Sequence, residues 1–282
     1  MISPKVYIII LNHNGLQDTI ECLESLQKIT YPNYGILVID NASFGNDVSV
    51  LRQKFGDTIG ILRNRHNYGF QKASNVGIQL TFDDGADYIL LLNNDTVVKP
   101  DFLDKLVEVA EPWVHIGVLS PSLCNYYSPQ IDNQIDPVYS GPRTIDWWRN
   151  TCKSWNTPLV LDKYFRTEYI VGAAMLIKRS TIEEIGYLSE DFFLTVGDTD
   201  YCIRATRAGI GMAVVRDSIV YHKGGSSIDE GIPKGELNWS RVWEGYLGWQ
   251  RLRWRYLSKP MYFLTSIFLL SYWPYRLLRR VV

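Results

Sequence analysis

From Val6 to Leu119 short apolar runs alternate with amphipathic stretches. The runs VYIIIL, ILVID, GILRN, YILLLN and IGVLS are rich in Ile, Leu and Val, as strands buried on both faces of a parallel sheet are. Between them Leu16, Ile20, Leu23, Leu26 and Ile29 recur at helical spacing, and Phe102, Leu103, Leu106, Val109 and Ala110 do so after Pro100. The alternation predicts an α/β fold, a Rossmann-like, mostly parallel central sheet flanked by helices. Such sheets bind ligands at the carboxyl ends of their strands, so the residues that follow each run are the first candidates for chemistry.

Residues 120–165 break the rhythm. They hold Pro, Asn, Ser, Tyr and three Trp (Trp147, Trp148, Trp155), which predicts an irregular insertion near a substrate surface. Order returns with YIVGAAMLIKR as a strand, a short helix from Ser180 to Ile185, DFFLTVGD as a loop, a helix from Thr199 to Ala208 closed by Gly209, and MAVVRD as a strand.

The net charge of −1 hides an asymmetry: residues 236–282 carry eight Lys/Arg against two Glu, so the first 235 residues stand at −7. An acidic body argues against nucleic acid as its partner, because phosphate-backbone binding needs a basic face. The basic tail leaves an anionic membrane surface open. Four scattered cysteines, Cys22, Cys124, Cys152 and Cys202, form no CxxC pair and point to neither a zinc site nor a disulfide framework, which fits a reducing compartment. The N-terminus has no signal-peptide pattern, so a cytoplasmic location is expected.

At the strand ends stand Asn12-His13-Asn14-Gly15, then Asp40-Asn41, then Asn93-Asn94-Asp95. An acid after the second strand suits a ribose hydroxyl, but a dinucleotide site needs GxGxxG at the first turn, and NHNG takes its place. A nucleotide diphosphate would then need another counter-charge. Asp95 offers a hard oxygen to Mg²⁺ or Mn²⁺, although Asn-Asn-Asp by itself also reads as a turn or helix cap.

The strings VIDNAS, NRHNYGFQKASNVGI, ADYILLLNNDTVV, VGAAMLIKRSTIEEIGYLSEDFFLTVGDTDYCIRATRAG and YHKGGSS, in this order, resemble glycosyltransferase family 2, and within it the rhamnosyltransferase-like and galactofuranosyltransferase-like members. The resemblance implies a GT-A fold over residues 1–235, with a nucleotide-binding half (1–119) and an acceptor-binding half (120–235), followed by a basic, aromatic helical tail (236–282). It implies that Asp40 contacts the nucleoside, that Asn12 and Asn14 lie along the base, and that Asn67, Gly69 and Asn75 border the nucleotide pocket. The family's metal-binding Asp-any-Asp motif falls on Asn93, Asn94 and Asp95, with Asn where its first acid stands. His222 falls where similar enzymes add a metal-binding His; without the resemblance it reads as a polar loop residue. An imidazole ligand favours Mn²⁺ over Mg²⁺.

The family's acid-rich motif reads Gly197-Asp198-Thr199-Asp200 here, which makes Asp198 the base that deprotonates the acceptor hydroxyl in an inverting transfer. Gly197 replaces the usual Glu. An Asp opening a helix is also a preferred N-cap, and Asp200, Glu190 and Asp191 are alternative carboxylates. Gly197, Asp200 and Phe193 are candidates for the acceptor side, where Phe192, Phe193 and the Trp-bearing insertion offer faces to a sugar.

The implied activity is a metal-dependent, inverting hexosyl transfer from a nucleotide diphosphate sugar to a glycan or lipid-linked glycan in bacterial surface polysaccharide synthesis. NNDT resembles users of dTDP-rhamnose, and UDP-hexoses stay open. A binding-only protein of the same fold is the alternative. A nucleotidyltransferase is disfavoured because NHNG has no Lys or Arg to grip a triphosphate. In the tail, Trp239, Trp243, Trp249, Trp254 and Trp273 accompany several Arg, and the apolar run from Met261 to Trp273, ending at Pro274, is too short to span a bilayer. Peripheral attachment to the inner face of the cell membrane is expected; a helical pair packed on the body, or a homodimer interface, is the competing reading.

Overall fold

The computed structural model describes residues 3–127, 143–154, 163–224 and 239–281. Strand β1 (Val6–Asn12) lies between β2 (Tyr34–Asp40) and β4 (Tyr88–Asn93), with β3 (Gly60–Arg63) beyond β2, and all four are parallel. The sheet continues from β4 through β10 (Ala174–Lys178), β6 (Ile116–Asn125) and β11 (Gly211–His222) to β5 (Thr96–Val98), while β9 (Tyr164–Arg166) also pairs with β11. Of these nine strands, β5, β9 and β10 run against the other six, so the sheet is mostly parallel and becomes mixed in its second half.

Both faces are covered, which explains the unbroken apolar runs. Ile8, Ile10, Leu90 and Leu92 face one layer, filled by Leu23 and Leu26 of α1 (Leu16–Leu26), Leu51 and Phe55 of α2 (Asp47–Phe55), and Phe102 and Leu106 of α4 (Phe102–Ala110). Ile9, Ile39, Ile89 and Leu91 face the other, filled by Ile78 of α3 (Gly69–Asp83), Ile182 of α5 (Arg179–Ile185), and Tyr201, Cys202 and Ala205 of α6 (Gly197–Arg207). Each Ile, Leu or Phe among them contributes about 1.5–3 kcal/mol by leaving water.

The structure departs from the expected elements in three places. The run YIVGAAMLIKR is a strand only from Ala174; Tyr169 and Gly172 lie at the carboxyl end of β4, where both donate hydrogen bonds to Asp198. Within 120–165, β6 extends to Asn125 and a hairpin forms from β7 (Arg143–Asp146) and β8 (Thr151–Ser154), whereas Trp155 lies outside the described residues. In the tail, α7 (Trp239–Tyr256) is followed by α8 (Lys259–Val281), and Pro274 does not end the second helix.

Helix α7 is docked on the body. Leu252 is fully buried in a cluster with Phe192, Val196 and Ile203, and Trp249 and Tyr256 pack on the same cluster. Arg255 pairs with Asp200 at 2.8 Å, and Tyr256 donates to the same carboxylate at 2.8 Å. Among the described side chains of α8 an exposed stripe is apolar: Phe263, Leu264, Ile267 and Leu270, at 56–76% exposure, follow one another at spacings of one, three and three residues. No described helix is long and apolar enough to cross a membrane.

Candidate active site

A cavity of roughly 710 Å³ opens at the carboxyl ends of β1, β2 and β4 and runs to the start of α6 and to α7. Its first end is built from short amides. Asn14 sits at φ 56°, a conformation Asn tolerates better than most residues, and this lets its backbone N–H donate to Ser43 at 2.9 Å. Asn41 donates to Asn67 at 2.8 Å and accepts from Asn64 and from the Tyr68 N–H, both at 3.0 Å, which ties the ends of β2 and β3 to the start of α3. Asn14, Asn41 and Asn67 line the cavity.

Asn12 and Asp40 lie beneath that wall, a correction to their expected contacts with base and nucleoside. Asn12 donates to Asp40 (3.0 Å), Ser43 (3.1 Å) and Asp47 (2.9 Å) and accepts from Thr19 (2.9 Å). The Asp40 side chain has no exposed surface; it also accepts from the Ser43 N–H and faces Arg63 at 3.4 Å. The pair is a buried polar hub that fixes the wall. Asn75 likewise lies away from the cavity, because its amide closes on the N–H and C=O of Leu188 at 3.1 and 2.9 Å.

Gly69 does border the cavity, and its glycine is required. Its φ is +76°, and a Cβ there would stand 2.3 Å from the Phe193 carbonyl oxygen. The same oxygen accepts from the Phe70 N–H at 2.6 Å, so the loop ahead of α6 is pinned to the start of α3.

Strand pairing brings the metal candidates together. Thr96 of β5 is in register with His222 of β11, and this sets Asp95 Oδ1 3.2 Å from His222 Nε2. Neighbouring ligands on an octahedral cation with bonds near 2.1 Å sit about 3 Å apart, so these two atoms fit adjacent positions on one hard ion. Asn93 borders the pair, with its amide nitrogen 3.5 Å from His222 Nε2. Asn94 lines the cavity but donates to Gly15 O and to Thr19 Oγ1. Among the described residues no cluster of three or more His, Cys, Asp or Glu could hold a metal, so the rest of the coordination sphere would come from donor phosphate oxygens and water.

Lys223 does not supply a counter-charge to the cavity. Its amine is held by Asp18 (2.6 Å) and Glu21 (2.5 Å); burial opposes its charge, but these two carboxylates outweigh it and raise its pKa. The described Lys/Arg residues that do line the cavity are Arg143 on β7 and Arg241 on α7.

At the other end, Asp198 lies in the first turn of α6 and lines the cavity. It does not serve as the helix N-cap, a position held by Val196. One carboxylate oxygen accepts from the Tyr169 hydroxyl (2.8 Å) and the Gly172 N–H (3.0 Å), and the other from the Thr199 N–H (2.7 Å). Burial, then the nearby Asp198 charge, push the Tyr169 phenol well above its ordinary pKa, so it remains a donor. Val196, two residues earlier, has φ 58°. A β-branched residue in this left-handed conformation costs roughly 1–3 kcal/mol and persists only where its surroundings enforce it.

The alternative carboxylates are engaged elsewhere. Asp200 is fully buried between Arg204 and Arg255, Asp191 pairs with Arg255, and Glu190 faces Lys72; none lines the cavity. This removes Asp200 from the expected acceptor side. Gly197 does not line it either: the place its side chain would fill is taken by Gln71, whose amide donates to the Phe192 and Phe193 carbonyls at 2.5 and 3.0 Å. Phe192 belongs to the core, whereas Phe193 is half exposed and lines the cavity with Trp249. Cys152 also lines it, but burial pushes its thiol up to about 12, which makes it a poor nucleophile.

Residues 7–186 match the model of glycosyl transferase family 2. The chain belongs to glycosyltransferase family 2. Its relatives include the low-salt glycan biosynthesis hexosyltransferase Agl10 of Haloferax volcanii, 25% identical over 75% of this chain and 66% of that protein, and the dTDP-rhamnosyl transferase RfbF of Shigella flexneri, 21% identical over 78% and 69%. The chain thus spans just under two thirds of the archaeal relative.

Solved structures share the fold at lower identity. GalNAc-T7 with UDP, GalNAc and Mn²⁺ superposes with a TM-score of 0.65 at 19% identity, over 78% of this chain and 44% of that one. The mannosyltransferase PcManGT of Pyrobaculum calidifontis with GDP-Man and Mn²⁺ gives 0.57 at 15%, over 100% and 84%. The fold is the GT-A fold of these glycosyltransferases.

Several site residues of this family member have little signal in the sequence. Tyr169 and Gly172, which orient Asp198, sit in an apolar run that reads as strand, and Gln71 and Trp249 meet the cavity only through long-range packing. Asn41 was legible by its place beside Asp40 at a strand end.

Proposed function

We propose that the chain is an inverting, metal-dependent hexosyltransferase, with rhamnose from dTDP-rhamnose favoured over a UDP-hexose, that builds a bacterial surface polysaccharide on a glycan or lipid-linked glycan acceptor. The observation that carries this reading is one cavity lined at one end by the Asp95–His222 pair and at the other by Asp198, its carboxylate fixed by hydrogen bonds from Tyr169, Gly172 and Thr199. The RfbF relative supports the choice of donor and sugar.

In this mechanism the amide wall of Asn14, Asn41 and Asn67 receives the nucleoside. Asp95 and His222 would hold Mn²⁺ or Mg²⁺, whose chemistry is to neutralise charge on the diphosphate. Asp198 takes the proton of the acceptor hydroxyl, and the freed oxygen electron pair forms the new bond to the anomeric carbon. The bond from that carbon to the diphosphate oxygen breaks with its electrons on the leaving nucleoside diphosphate, and the configuration inverts. Phe193 and Trp249 offer apolar faces to the acceptor sugar.

Peripheral attachment to the inner membrane face is supported by the apolar outer stripe of α8 and the basic tail, which would set the stripe at headgroup depth and the cations on anionic lipid. The test of the mechanism is the product. The anomeric configuration of the new linkage, read by NMR, is opposite to that of the donor, and Asp198→Asn loses ~10²–10⁴ in turnover. Retention of configuration would refute it.

A further inference from the structure

We infer that Glu244, on the C-terminal helix α7, is a positioning residue for the loop that carries the catalytic base. The inference deepens the assignment of Asp198 and rests on it. Residue 244 lies outside the stretch that matches the family model. Its carboxylate nevertheless reaches the loop immediately ahead of α6: one oxygen accepts from the backbone N–H groups of Leu194 (3.1 Å) and Thr195 (3.2 Å), and the other from the Thr195 hydroxyl (2.6 Å).

These contacts fall on the two residues that precede Val196, the β-branched residue held at φ 58°, and three residues before Asp198 at the nearest. Carboxylate bonds to backbone N–H groups are charge-assisted and directional, so Glu244 dictates where the peptides of 194 and 195 point. The helix closes on this loop elsewhere too. Gly248, one turn on, leaves room for Val196: a Cβ there would stand 2.7 Å from Val196 Cγ2. Leu194, Thr195 and Val196 all line the cavity with Asp198, and so do Arg241 and Trp249 of α7. Helix α7 is therefore a wall of the acceptor end, and Glu244 is its grip on the base-carrying loop.

The chemistry separates positioning from bulk folding. Gln at 244 keeps a carbonyl oxygen for the two N–H groups and an amide that donates to the Thr195 hydroxyl oxygen; Ala keeps neither. The test measures amide exchange across residues 192–197 in the full chain, together with dTDP and UDP binding in Mn²⁺ and sugar transfer, for wild type, Glu244→Ala, Glu244→Gln and Asp198→Asn. Glu244→Ala exchanges at least tenfold faster in that segment and transfers at least tenfold more slowly, with nucleotide affinity within twofold of wild type. Glu244→Gln restores both to within about threefold.

Unchanged exchange in Glu244→Ala overturns the inference, as does a loss of nucleotide binding equal to the loss of transfer, or failure of Gln to rescue. Full transfer by Asp198→Asn instead overturns the base assignment, whatever Glu244 does.

Discussion

Gln71 occupies the space that a side chain at position 197 would need: a Cβ on Gly197 would stand 2.0 Å from the end of the Gln71 amide. The family resemblance implies a Glu where Gly197 stands, and here α3 reaches across to fill that space. Gly197→Ala should therefore destabilise the fold by about 1–3 kcal/mol, as overpacking does. In the Gln71→Ala background the same change should cost much less. A denaturant double-mutant cycle measures the coupling, and additive effects would show that the two positions do not compete for one space.

Asp95 and His222 meet because β5 is paired with β11, so the candidate metal pair joins segments far apart in sequence. Asp95→Ala and His222→Ala should each weaken Mn²⁺-supported binding of dTDP or UDP at least tenfold and leave metal-free binding little changed. Calorimetry with and without the ion checks this; equal losses in both conditions would point to nucleotide contacts instead.

Cys152 lines the cavity with a thiol that burial pushes up to about 12. The raised value means that thiolate appears only as pH approaches 12, so at pH 8 iodoacetamide should label Cys152 far more slowly than a free thiol with a pKa of about 8.5. Mass spectrometry reads the extent. Cys152→Ser should retain transfer, whereas loss of transfer with normal nucleotide binding would make the thiol a participant.

Much of the fold was legible because both sheet faces are covered: the five apolar runs became β1, β2, β3, β4 and β6, and the helical spacing of Leu16 to Leu26 and of Phe102 to Ala110 became α1 and α4. The cavity lining was legible where a strand end delivers a side chain directly, as at Asn14, Asp95 and His222. It was illegible where the delivered side chain is consumed by its neighbours. Asp40 and Asn12 satisfy one another and Ser43, Asn75 closes on Leu188, and Asp200 is paired with Arg204 one helical turn on and with Arg255 from α7, far away in sequence. The tail's two readings also proved compatible in part, because α7 packs on the body while α8 keeps an exposed apolar stripe.

That stripe gives a prediction of its own. Ile267→Glu combined with Leu270→Glu should abolish sedimentation with vesicles containing phosphatidylglycerol, because burying a carboxylate in the bilayer interface opposes insertion. Vesicle binding that survives the double change would refute attachment through α8, and conversion of a dimer to a monomer would assign the stripe to a second copy of the chain.

The proposed function requires this cavity to transfer a sugar from a nucleotide diphosphate. The most direct measurement is a donor screen in Mn²⁺ that follows release of nucleoside diphosphate from dTDP-rhamnose and a panel of UDP-hexoses, for wild type and Asp95→Ala. Wild type should release nucleoside diphosphate slowly and metal-dependently from one donor, and the variant should release none. Donor binding by calorimetry with no release from any donor, even when lipid-linked glycan acceptors are supplied, would contradict it and leave a protein that binds nucleotide sugars without transferring them.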